Sequence, residues 1–290
     1  MKVAIFARPR CPLAVETLRL FRRNSLPMAL VIVETAVREK FSDAERAFKA
    51  AHAEFDRWLT QRGAGSLEST GLVVQALRLP RRVVRKLRGW LAGDPLEAEA
   101  RRSGARLITV GKHSSAETRD LLEREGISWV LLASSAWLIK EPLLSMPGTR
   151  IINAHCAKLP QHRSLDALSR SVLAGDELGL TAHFVDAGID TGPILDFMPV
   201  ESELGDNLNT LRAKVDALAP ELLRRCVAGL RDSTIQPRVQ RPEDGTHHSP
   251  MTFAQLCAAE GRLQERIAAR RTRSASVPAP GAALSPLSRP

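Results

Sequence analysis

Apolar positions along the chain fall into two rhythms. Short continuous runs, rich in β-branched residues, occupy 3–7, 28–34, 107–110, 129–133 and 151–154. Between several of them lie stretches with helical spacing, at 13–23 and 115–125, the second with Ser114 or Ser115 as a possible cap. Continuous rather than alternating apolar character marks strands buried on both faces. Strand–helix alternation of this kind predicts an α/β fold with a doubly wound, mostly parallel sheet and right-handed crossovers.

Three segments depart from this rhythm. Residues 36–104 are rich in Ala, Glu, Lys and Arg, with Phe41, Phe48, Phe55 and Leu59 near helical spacing, and predict an inserted helical region. Within it, 80–91 is amphipathic: Val83, Val84, Leu87 and Leu91 share one face and arginines the other. Core cover is the first reading of that face, with a partner or a membrane surface as alternatives. Residues 180–186 and 194–200 read as two strands joined by a turn at Ala187-Gly188-Ile189-Asp190-Thr191-Gly192-Pro193. A long helix is expected over 206–231, divided or kinked at Pro220. The resulting division is a domain over 1–205, a helical and loop extension over 206–260 packed on it, and a basic, Pro/Ala/Ser-rich disordered tail over 261–290.

Composition narrows the function classes. The chain has 290 residues, 44% of them apolar, and no Tyr. No apolar run reaches the length of a membrane span, and the first apolar stretch is too short for a signal peptide. Cys11, Cys156, Cys226 and Cys257 are scattered without C-x-x-C spacing, which argues against a zinc site or a disulfide framework and for a reducing cytoplasm. The net charge is +10. Residues 78–88 hold Arg78, Arg81, Arg82, Arg85, Lys86 and Arg88 and no acid, and a second excess lies in the tail. A solvated basic face explains both; nucleic acid is the alternative, without interleaved aromatics in the tail to support base stacking. No G-x-G-x-x-G follows the first strand, where Arg8-Pro9-Arg10-Cys11-Pro12 stands instead, and this counts against a dinucleotide enzyme.

The chemistry concentrates after the strand at 151–154. Ligands of open α/β sheets bind beyond the carboxyl ends of strands, and Asn153 and His155, two apart on extended chain, point the same way. Leu159-Pro160-Gln161-His162-Arg163 follows, and then the block from Gly179 through Leu195. The pattern N-x-H, L-P-x-x-R, G-x-T-x-H-x-V-D-x-G-I-D-T-G-P-I-L resembles the folate-dependent formyltransferases. The group includes glycinamide ribonucleotide formyltransferase, methionyl-tRNA formyltransferase, formyltetrahydrofolate deformylase and amino-sugar N-formyltransferases. The likeness is strongest over 128–200 and weaker at the first strand and at 240–246.

The resemblance implies a Rossmann-like catalytic domain, 10-formyltetrahydrofolate as formyl donor and no metal. It assigns catalysis to Asn153 and His155 at the oxyanion and to Asp190 in proton removal, chemistry that an amide donor, an imidazole and a carboxylate can supply. It places the donor against Trp137, Leu138 and Ile139 after the fourth strand and against Ala187, Gly188 and Asp190 in the turn. His183 is expected beside the substrate as a support, and Thr181 as a residue orienting His155. Arg163 either binds an acidic acceptor or clamps its loop. Asp186 reads as a turn former, Cys156 as no nucleophile, and His247-His248 as a solvent-exposed pair. The chain departs from the family loop H-P-x-x-L-P-x-x-R-G at Cys156 and Ser164, and Trp137 stands where a smaller or basic residue is frequent.

The expected reaction is formyl transfer to the amine of a small molecule, an amino sugar or a biosynthetic intermediate. The short stretch after 205, the start directly on a strand and the long 36–104 insertion separate it from the tRNA, deformylase and purine-pathway types respectively. Hydrolysis of formyl-folate, tRNA formylation and a non-catalytic binding protein on the same fold stay open as alternatives.

Overall fold

The computed structural model describes residues 1–35, 42–63, 94–133, 138–163 and 165–275. Trp137, Ser164, the basic segment at 78–88 and residues 276–290 lie outside the described residues.

Strand β1 (Val3–Ala7) leads into helix α1 (Pro12–Arg23), β2 (Leu30–Glu34), α2 (Asp43–Gln61), α3 (Pro95–Arg102) and β3 (Arg106–Val110). Helix α4 (Ala116–Glu125), β4 (Trp129–Leu132), β5 (Arg150–His155), the short β6 (His162–Arg163) and α5 (Ala167–Ala174) follow. The chain ends its described course with β7 (Gly179–Phe184), β8 (Ile194–Pro199), α6 (Leu208–Arg231), β9 (Thr246–His247) and α7 (Phe253–Ala275).

Seven strands form one sheet in the order β3-β2-β1-β4-β5-β7-β8. The first five run parallel, while β7 and β8 pair antiparallel, as a hairpin requires. Every residue of β1 and β2 is buried, which is why these strands read as unbroken apolar runs. Edge strand β3 is only partly covered and carries Arg106. The chain builds β1, β2 and β3 outward, then returns to set β4 on the other flank of β1. That reversal opens a crevice beyond the carboxyl ends of β1 and β4, next to the end of β5.

Local signals account for the helices. Ser42 and Glu45 form a capping box on α2. Ser115, the second of the two expected candidates, caps α4 by accepting from the Thr118 amide, and Gly126 ends that helix in the left-handed region at φ 63. Two expectations are corrected. Helix α6 is not divided at Pro220: Leu208, Leu211 and Val215 before it and Leu222, Leu223, Cys226 and Val227 after it are buried, which holds both halves in place as one helix. The boundary at 261 falls inside α7, whose Leu256, Ala259, Leu263 and Ile267 bury one helical face, so residues 261–275 are helix rather than tail.

Two apolar layers flank the sheet. One joins Val3, Ile5, Ile152, Ala154 and Cys156 to α1, α6 and α7. The other joins Ala4, Phe6, Val130 and Ile151 to Leu121, Leu122, Ile139 and Leu143. Alternation along β5 thus sends Cys156 toward α6, while Asn153 and His155 belong to the set that faces the other way.

Candidate active site

Antiparallel pairing puts Asn153 opposite His183 and His155 opposite Thr181. The β7–β8 connection brings Asp190 back over the same strand ends. Asn153 Nδ2 lies 3.3 Å from His183 Nε2. Asp190 spans the two imidazoles, with Oδ2 3.4 Å from His155 Nδ1 and Oδ1 3.5 Å from His183 Nε2. The structure therefore brings Asn153, His155, His183 and Asp190 into one cluster. His183 is 2% exposed and His155 7%, whereas the Asp190 side chain is 15% exposed. Asp190 holds φ 56, a left-handed conformation that a non-glycine residue adopts at a cost, and this aims its carboxylate at the histidines.

Carbonyl partners fix the imidazole tautomers, because a carbonyl only accepts. His183 Nδ1 donates to Phe184 O at 2.8 Å, and a neutral ring then offers Nε2 as the acceptor for the Asn153 amide. The Asn153 NH2 is thereby turned toward His183, and its second N–H remains to be used. His155 Nε2 donates to His162 O at 2.8 Å, so Nδ1 faces Asp190. Burial holds His155 below the ordinary imidazole range, partly offset by the Asp190 charge; the nearby His183 and Arg212 push in the same direction as burial.

The loops carrying these groups are tied together. Gln240 Nε2 donates to Asp190 O at 3.0 Å and to Gly192 O at 2.6 Å. Its Oε1 accepts from Arg163 Nη2, which also donates to Arg241 O. Arg163 is 5% exposed, so of the two expected roles the loop clamp is the one its contacts match. Gly245 permits this closure, since a Cβ there would meet Pro160 O at 1.7 Å. Thr181 does not orient His155: its hydroxyl donates to Ala157 O and accepts from the Leu159 amide, fastening the loop backbone. Asp186 accepts from the Gly188 amide and the Thr191 hydroxyl and so shapes the turn. His248 is not simply solvated; its Nε2 meets His162 Nδ1 at 3.1 Å, and His162 Nε2 meets Asp176 at 2.6 Å.

Comparison with known proteins converges on this region. The formyl transferase family model matches residues 90–227, a span that includes all four clustered side chains. Residues 90–227 belong to the formyl transferase family. A methionyl-tRNA formyltransferase of Chromobacterium violaceum is 30% identical over 198 residues, covering 66% of this chain and 62% of the relative. The match thus spans less than two thirds of that relative's length. Among solved structures, a phosphoribosylglycinamide formyltransferase from Bacillus halodurans superposes with a TM-score of 0.52 at 21% identity, covering 81% of this chain and 97% of its own. A sugar N-formyltransferase from Shewanella gives 0.51 at 14% identity, covering 91% and 87%. These two share the fold.

On the formyl transferase domain the expected donor side keeps its apolar character. Leu138 is 59% exposed and Ile189 42%, while Ile139 is buried in the layer that Val185 joins. Ala187 and Gly188 are exposed in the turn above it. Such apolar edges beside open backbone suit a flat heteroaromatic ring. Among the described residues no group of three or more His, Cys, Asp or Glu side chains is arranged to hold a metal, and no helix is long and apolar enough to cross a membrane. Cys156 is buried with its thiol donating to Asp216 Oδ1 at 3.1 Å, and burial pushes its pKa up to about 12, which suits a structural thiol.

Sequence reasoning left out three members of this neighbourhood: Gln240 as the clamp, Asp216 and Arg212. Gln240 was visible only as part of a weak likeness. Nothing in the spacing of a helix tells which turn abuts a strand end sixty residues earlier.

Proposed function

We propose that the protein transfers the formyl group of 10-formyltetrahydrofolate to an amine of a small-molecule acceptor. The observation that carries this reading is the convergence of Asn153, His155, His183 and Asp190 at the ends of β5 and β7, within the formyl transferase match.

The roles follow from the groups present. The acceptor nitrogen attacks the formyl carbon, a C–N bond forms and the carbonyl electrons move onto oxygen. Asn153's second N–H, aimed by His183, is placed to stabilise that oxyanion. Asp190, paired with His155, takes a proton from the attacking nitrogen. Collapse breaks the bond to the folate nitrogen, which leaves with a proton as tetrahydrofolate. Leu138, Ile139, Ala187 and Gly188 would hold the donor's ring.

A second acceptor class is favoured by one observation: the sequence relatives are methionyl-tRNA formyltransferases. The test is an assay of tetrahydrofolate release with 10-formyltetrahydrofolate, using amino sugars and nucleotide-linked amino sugars in one arm and methionyl-tRNA in the other. Amine-dependent release supports transfer, and release of formate without any amine would replace transfer by hydrolysis. A protein that fails to bind the formyl-folate would sink the reading.

A further inference from the structure

Strand β6 is two residues long, and each residue holds one member of the His155–Asp190 pair. Its backbone lies between β9 and the end of β5. Gln161 O and Arg163 O point one way and accept from the Thr246 and His248 amides, at 3.0 and 3.3 Å. His162 O, between them, points the other way and accepts from His155 Nε2 at 2.8 Å. Arg163 acts through its side chain, on the Gln240 that grips the Asp190 turn. His162 acts through its carbonyl, and the chemistry above gives its side chain no task.

That side chain is nonetheless held on both edges. Its Nε2 meets Asp176 Oδ2 at 2.6 Å, and a carboxylate only accepts, so Nε2 donates. A neutral ring then offers Nδ1 as the acceptor for His248 Nε2, 3.1 Å away. The two rings lie 5.3 Å apart, tilted by 34°, and the His162 side chain is 12% exposed. Asp176 follows α5 and His248 follows β9, so the two contacts come from separate parts of the chain. Both are fastened in turn. Asp176 O accepts from Arg266 Nη1 on α7 at 2.7 Å, and Ser249 O, next to His248, accepts from Arg170 Nη2 on α5 at 3.0 Å.

The carbonyl needs such holding. Which nitrogen of an imidazole carries the proton is set by the hydrogen bond it makes. Asp190 lies 3.4 Å from His155 Nδ1 and draws a proton to that nitrogen, whereas His162 O keeps the proton on Nε2. If the carbonyl swung away, His155 would donate from Nδ1 to Asp190 and occupy the oxygen that the attacking amine requires. We propose that His162 is a positioning residue for His155: the string Asp176–His162–His248 anchors the carbonyl that keeps His155 in its Nε2–H form, with Nδ1 turned to Asp190. This rests on the formyl-transfer reading only for what His155 and Asp190 then do.

The test reads the imidazole nitrogens of isotope-labelled protein by NMR, on the full chain and on His162→Phe, His248→Ala and His248→Gln. The chain has seven histidines, and the His155 signal is assigned by its loss in His155→Gln. The expected wild-type signal is the Nε2–H form alone. His162→Phe and His248→Ala should add the Nδ1–H form. His248→Gln, whose amide donates to the same Nδ1 of His162, should restore the wild-type signal. With 10-formyltetrahydrofolate and an amine that is accepted, kcat should fall about threefold to tenfold in the first two variants, the worth of one lost hydrogen bond, with the donor KM unchanged. Circular dichroism reports whether each variant is folded. A His155 signal that stays wholly Nε2–H in both His162→Phe and His248→Ala overturns the proposal, as does a wild type protonated on Nδ1. A loss in kcat that His248→Gln leaves unrestored overturns it too. The spectra are read without substrate, so a failed anchor and a failed formyl-transfer reading give different patterns.

Discussion

Two buried groupings of histidine and carboxylate sit beyond the carboxyl ends of this sheet. At β2 and β3, Glu34 accepts from the His113 amide at 2.8 Å and faces its Nδ1 at 3.0 Å, while His113 Nε2 donates to Ile32 O. The ring stacks flat on Phe6 at 4.1 Å, and burial pushes its pKa down to about 4. At β5 and β7, His155 and His183 share Asp190, and burial lowers His155 as well. By burial and perturbed titration the two are alike. They differ in what is left over. His113 has both ring nitrogens against oxygens and a ring on its face. The β5–β7 group keeps an N–H on Asn153, a partly open carboxylate and a left-handed turn that aims it. A perturbed histidine beside a carboxylate is thus weak grounds for a site, and unused valence facing space is the better sign.

The largest effect expected from this contrast is at Asp190. Asp190→Asn removes the proton acceptor without changing shape, and turnover should fall about a thousandfold or more, with formyl-folate binding nearly intact. A near-normal rate would break the comparison, because the open carboxylate would then matter no more than Glu34. Asn153→Ala should cost about a hundredfold to a thousandfold in kcat, the usual loss on removing one oxyanion donor. If His183 acts by turning that amide, His183→Phe should show a loss of the same kind and add little to Asn153→Ala, measured as a double-mutant cycle.

Gln240 sharpens the comparison further, because it clamps the turn that carries Asp190. Gln240→Glu can still accept from Arg163 but cannot donate to the carbonyls of Asp190 and Gly192. A fall of about tenfold or more in kcat is expected from the loosened turn, with the melting temperature changed little. An unchanged kcat would show that the left-handed turn holds itself.

What was legible in the chain divides by physics. Strands β1 and β2 announced themselves because burial on both faces writes a continuous apolar run. The capped start of α4 was legible because caps are local chemistry. The pairing of Asn153 with His183, thirty residues apart, could be placed only through resemblance, because register across a β-hairpin is set by tertiary pairing. Helix α7 was misjudged from 261 onward, as its arginine-rich face outweighed the spaced Leu263 and Ile267 that bury. Thr181 faces His155 in register, yet its hydroxyl serves Ala157 and Leu159, a pairing that depends on how the loop after β5 folds back. The roles of Arg212 and Asp216 depend on which turn of α6 meets Cys156, and no local pattern encodes that.

The smallest effect expected is on stability, and it isolates the closed pair. Burial holds His113 at a folded pKa of about 4, against about 6.5 in the unfolded chain. Between these values the unfolded chain binds the extra proton and the folded chain does not. Stability therefore holds its plateau above about pH 6.5 and declines as pH falls toward about 4, by at most about 3 kcal/mol from this one group. Buried His155, lowered in the same direction, adds to the decline. Urea unfolding at a series of pH values reads the slope. His113→Phe keeps a ring on Phe6 but cannot titrate, and it leaves the Glu34 carboxyl buried without its imidazole partner. Its slope in that window should be shallower than the wild type's, because the ring that takes up the proton is gone. A variant whose slope matches the wild type would assign the acid loss to His155 instead, and the two groupings would then differ in titration as well as in open valence.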